Sequence, residues 1–128
     1  MDHDFSALVR PRIALVAALA ALTFAAVAAF AGTPPAAHAA SCHTPKYPGQ
    51  GYFTSLDVTK VSCARGSKVA VAYYKCRIKK GKAARCTNKV LGYSCTETKR
   101  VKIPTELDAR VSCTLGARKV VHTYQQNL

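Results

Sequence analysis

The chain has 128 residues, with 19 Lys+Arg against 6 Asp+Glu, a formal net charge of +13, and six cysteines. That length admits one small domain, or one domain behind a targeting segment, and excludes a large multidomain enzyme. The hydrophobic share of 49% is unevenly placed, with a long charge-free run near the start and a strongly cationic remainder.

Arg10 and Arg12 precede an apolar stretch from Ile13 to Gly32, which is followed by Pro34, Pro35 and Ala37-His38-Ala39. A basic end, an apolar run, and small residues at the first and third positions before a cut are the parts of a secretory signal peptide. Residues 1–39 are therefore expected to be a cleavable signal, cut after Ala39. The alternative is a retained anchor over 13–32, since about 18–20 apolar residues just span a bilayer. The two prolines and the Ala-x-Ala site favour cleavage. Lipidation of Cys42 fits poorly, because Ala39 stands where a branched aliphatic residue belongs. It would also leave five cysteines, an odd number for an oxidising compartment.

Cleavage removes two arginines and two aspartates, so the remaining chain of about 88 residues keeps the whole +13, with Asp57, Glu97, Glu106 and Asp108 as its acids. So short and self-repelling a chain buries little apolar surface for its size. Cysteines at 42, 63, 76, 86, 95 and 113 supply the remedy as three disulfides, each contributing about 2–4 kcal/mol. A zinc site is excluded by spacing, with neither a Cys-x-x-Cys pair nor a nearby His couple. Six cysteines allow 15 pairings. The local sequence points to Cys76–Cys86, which flank a polar loop centred on Gly81, and leaves Cys42, Cys63, Cys95 and Cys113 to share two bonds.

In chain order, residues 40–51 carry Pro45, Pro48, Gly49 and Gly51 and read as an irregular arm, with the folded domain over 52–128. Tyr52 to Val61 reads as one or two short strands. From Ala64 to Cys76 the period changes: Val69, Ala72, Tyr73 and Cys76 fall on one helical face. Ser62 is placed to cap the start and Gly81 lies past the end. Tyr93 to Val101 alternates as a strand, Pro104 interrupts, Ala109 to Cys113 alternates again, and Lys119 to Tyr124 is a further strand after a turn at Leu115-Gly116-Ala117. The fold class expected is α+β, one helix packed on a small antiparallel sheet and stapled by about three disulfides. Val61-Ser62-Cys63-x-x-Gly66 recurs as Val111-Ser112-Cys113-x-x-Gly116. The two copies predict different secondary structure, so no repeat architecture follows.

The Ala-rich leader, the basic cysteine-stapled body and the Val-x-Cys-x-x-Gly-x-Arg-Lys-Val stretch at 111–120 resemble small exported proteins of high-GC actinobacteria, over roughly residues 58–124. The resemblance implies an extracytoplasmic location and no particular activity.

Catalytic chemistry has few candidates. The expected mature chain holds His43 and His122 beside four acids, with no nucleophile elbow, metalloprotease or phosphate-loop motif. Glu97, Arg110 and His122 match in order the base, phosphate-binding cation and acid of small secreted ribonucleases. Strand parity sets Arg110 on the opposite face, and no other motif of that family occurs. The bland alternatives are a Glu97 paired with a neighbouring cation and a half-buried His122.

The strongest positive feature is basic: Lys75, Arg77, Lys79, Lys80, Lys82 and Arg85 put six cations in eleven residues. They read as an anion-binding patch for an anionic cell-wall polymer, lipid headgroups or extracellular nucleic acid, with no cofactor required. Tyr73 and Tyr74 stand beside them but belong to the helix core. The leading expectation is a secreted, non-enzymatic module acting by electrostatics. A second is a diffusible protease-inhibitor-like or toxin-like effector presenting loop 77–85 to an extracellular protein.

Overall fold

A computed structural model of the chain describes residues 38–128. The expected signal peptide over 1–39 and the alternative anchor over 13–32 fall almost wholly outside these residues. Among the described residues no helix is long and apolar enough to cross a membrane.

The domain is α+β, as its periodicities imply: one helix lies on one face of a five-stranded antiparallel sheet. The strands are β1 (Ala40–Ser41), β2 (Gly51–Thr59), β3 (Ser94–Ile103), β4 (Glu106–Leu115) and β5 (Arg118–Asn127), in the spatial order β1-β2-β5-β4-β3. The arm differs from expectation at its start, where Ala40 and Ser41 pair with Val58 and Asp57 as a short edge strand. Two prolines keep the rest of the arm irregular. The single strand β2 alternates buried Phe53, Leu56 and Val58 with more exposed neighbours, and a bulge at Thr54 preserves that facing.

Helix α1 (Cys63–Ile78) starts where the sequence places its cap: the Ser62 hydroxyl accepts from the Arg65 backbone N–H at 3.2 Å. Its buried stripe is Gly66, Val69, Ala70, Tyr73, Tyr74 and Arg77. This corrects the predicted face in part. Val69 and Tyr73 belong to it, whereas Ala72 and Cys76 lie at its margin, Cys76 being turned toward its disulfide partner. Gly66 lets the helix approach the sheet, since a Cβ there would stand 2.5 Å from Val58 Cγ1.

Three disulfides close the fold. Cys42–Cys63 ties the arm to the start of α1, Cys76–Cys86 ties its end to the following loop, and Cys95–Cys113 joins directly opposed positions of β3 and β4. The pairing expected from the local sequence is thus present. The other two needed the topology.

Candidate anion-binding surface

The site is built on the last turn of α1 and the loop behind it. Tyr73 and Tyr74 are buried, so the chain reaching this point is anchored in the core. Arg77, four residues after Tyr73, continues the same stripe and is fully buried. This removes Arg77 from the predicted anion patch, because helical geometry turns it inward. Its guanidinium donates to Lys82 O at 2.5 Å, to Gln126 Oε1 at 2.9 Å and to the Tyr47 hydroxyl. It also lies 4.4 Å from the Tyr124 ring centroid. A buried cation with such partners fixes the arm, the loop and β5 to one another.

The loop is held at two points, the Cys76–Cys86 bond and the Arg77–Lys82 hydrogen bond. Between them it turns: Gly81 N–H donates to Ile78 O and Ala84 N–H to Gly81 O, each at 3.0 Å. Gly81 has φ +116°, in the left-handed region that favours glycine.

Lys79, Lys80, Arg85 and Lys89 converge on one hollow of about 190 Å³, with Thr87, Asn88 and Cys76 in its wall. Three of these cations belong to the predicted set. Lys89 does not; it lies beyond Cys86, outside the basic run, and only the folding of the loop brings it here. Lys82 turns instead toward the arm, 3.4 Å from Gln50 Oε1, and Lys75 lines a separate, more apolar groove with Pro45, Val71 and Leu91. Cations at a helix C-terminus also complement its dipole. Their number alone therefore identifies no ligand, whereas convergence on one cavity does suggest one.

The acid nearest this surface is already engaged. Glu97, its side chain only 3% exposed, accepts from Arg100 at 2.7 Å, Arg85 at 2.9 Å, Tyr73 at 3.0 Å and Tyr124 at 3.1 Å. Burial alone would raise its pKa, but hydrogen bonds from Arg100, Arg85 and Tyr73 outweigh that and hold it below the ordinary carboxylate value. Arg85 stays 63% exposed while its Nε serves Glu97. Among the described residues these are the only ion pairs.

Glu97, Arg110 and His122 do not form one site. Glu97 and His122 share the inner face, separated by Val111 of β4, while Arg110 is exposed on the other face. His122 is fully buried rather than half-buried, and burial, reinforced by Arg77, lowers its pKa to about 4. It is a neutral core residue facing Phe53 and Tyr73. A base saturated by four donors and an acid sealed from solvent serve no leaving group. Comparison of the chain with protein families, curated proteins and solved structures finds no match.

Proposed function

We propose that the protein works outside the cytoplasm as a non-enzymatic module that binds anionic polymers through the loop behind α1. The observation that carries this reading is the convergence of Lys79, Lys80, Arg85 and Lys89 on one hollow, within a loop stapled by Cys76–Cys86. Four cations held together repel one another, and an anion relieves that repulsion. The staple means that little ordering entropy is lost on binding. An export role is supported by three disulfides in so small a domain. The apolar run ahead of Ala37-His38-Ala39 supports it further.

The test is calorimetric titration with long-chain polyphosphate across a salt series from about 50 to 300 mM. Wild type is expected to lose affinity steeply with salt. Lys79→Ala/Lys80→Ala/Lys89→Ala is expected to bind more weakly, with a slope reduced by about one per lysine that contacts phosphate. An unchanged slope in the triple variant would remove this loop from the interaction.

A further inference from the structure

The face of the sheet opposite α1 carries a second arrangement. Strand register places Lys99, Arg110, Thr123 and Ser55 in one row across β3, β4, β5 and β2. Lys99 and Arg110 are thus directly opposed cations, a cross-strand pair that is unfavourable by itself. Among the described residues neither has a carboxylate within ion-pair distance, although Asp108 lies on the same face two positions from Arg110. The strands at the two ends of this row are bulged beside it, β2 between Phe53 and Ser55 and β3 between Glu97 and Lys99. Bulges re-aim side chains and concentrate at functional sites.

The result is an open concavity of about 380 Å³ lined by Thr54, Lys99, Val101, Asp108, Arg110 and Thr123. The adjoining row runs Val101, Asp108, Gln125, Tyr52, and it leaves Tyr52 53% and Val101 50% exposed. Hydroxyls line the floor, with Thr123 bonded to both Thr54 and Ser55.

We infer that this concavity binds an acidic sugar unit of a polysaccharide. Lys99 and Arg110 take the negative group, Asp108 accepts from ring hydroxyls, and Val101 gives the ring an apolar contact. Asp108 decides against DNA: an acceptor-only carboxylate beside the cations suits a ligand rich in hydroxyl donors, which a deoxyribonucleotide strand lacks along its backbone. Among the described residues that line it there is also no exposed aromatic ring on which successive bases would stack. The negative group itself is a carboxylate or a phosphate, both of which an arginine binds in fork geometry. This site stands apart from the loop behind α1 and uses none of its residues.

The experiment titrates the full chain carrying Lys79→Ala/Lys80→Ala/Lys89→Ala, so that the loop cannot account for binding. The probes are an oligogalacturonate, a sugar-phosphate oligomer of equal charge, a neutral maltooligosaccharide and an oligothymidylate. At least one of the two acidic saccharides is expected to bind, and comparison of the two identifies the anionic group. Lys99→Gln/Arg110→Gln should weaken that binding by about tenfold. Asp108→Asn should weaken it while strengthening any binding of the oligothymidylate. All these positions are exposed, so thermal unfolding no lower than wild type is expected of each variant and verifies the fold, with Lys99→Gln/Arg110→Gln unfolding at an equal or higher temperature because the opposed cations are gone. Equal binding of the neutral saccharide, an unaffected double variant, or an oligothymidylate bound as tightly as the acidic saccharides overturns the assignment. Loss of all binding in the loop variant also overturns it, whereas failure of the loop reading alone leaves acidic-saccharide binding intact.

Discussion

His122 makes the stability of this domain depend on pH in a way that can be worked from the structure. The ring is fully buried on β5, neither nitrogen has a hydrogen-bond partner, and Phe53, Tyr73 and Tyr124 lie around it. Its pKa is lowered from 6.5 to about 4, by burial first and by Arg77 second. Between those values the unfolded chain binds a proton that the folded chain does not. The contribution of neutral His122 is therefore complete above about pH 6.5 and is lost as pH falls through 4. A gap of about 2.5 units at 1.36 kcal/mol per unit amounts to about 3 kcal/mol, a large part of the stability of any small domain.

Urea unfolding of wild type and His122→Leu, at neutral pH and near pH 4, reads this directly. Leucine removes two buried unpartnered nitrogens, so at neutral pH the variant should match wild type or gain about 1 kcal/mol. Its loss on acidification should be smaller than that of wild type by about 3 kcal/mol. Glu97, whose pKa is also lowered, contributes an acid-labile term to both proteins that cancels in the difference. Equal losses in the two proteins would refute the reasoning, because His122 would then carry its charge in the folded state.

Three further outcomes follow from packing. Arg77→Ala should cost about 3 kcal/mol, since it removes three hydrogen bonds and leaves a cavity beside the Tyr124 ring, while Tyr47 and Gln126 keep the bond between them; chemical denaturation showing a loss below about 1 kcal/mol would contradict a buried anchor. Gly66→Ala should destabilise by about 1 kcal/mol, because overpacking against Val58 outweighs the gain in helix propensity. In a Val58→Ala background the same change should become stabilising, which a double-mutant cycle reads. Cys76→Ala/Cys86→Ala should cost about 3 kcal/mol by calorimetry, given the ten-residue separation, and should weaken polyphosphate binding by loosening the loop.

Much of the architecture was legible because it rests on local signals. Ser62 and Gly81 punctuate α1, alternation marks β3 and β5, and a polar loop with a central glycine brings Cys76 to Cys86. What was not legible depends on long-range pairing. The partners of Cys42 and Cys95 follow from β1 joining β2 and from β3 lying beside β4, and neither is encoded in local periodicity. Arg77 shows the commonest failure: a run of cations invites a surface reading, while its place four residues after Tyr73 assigns it to the core. The same error made the loop seem richer in free charge than it is; Lys89 was missed for another reason, since it completes the cluster from beyond Cys86, past the end of the basic run.

Residue-resolved amide NMR of the chain titrated with polyphosphate at low salt tests the proposed binding surface most directly. The largest shifts should fall on Lys79, Lys80, Arg85 and the segment from Thr87 to Lys89, and should reverse as salt is raised toward about 0.3 M. Shifts spread evenly over the surface, or shifts at these residues that persist at high salt, would contradict an electrostatic site in this loop.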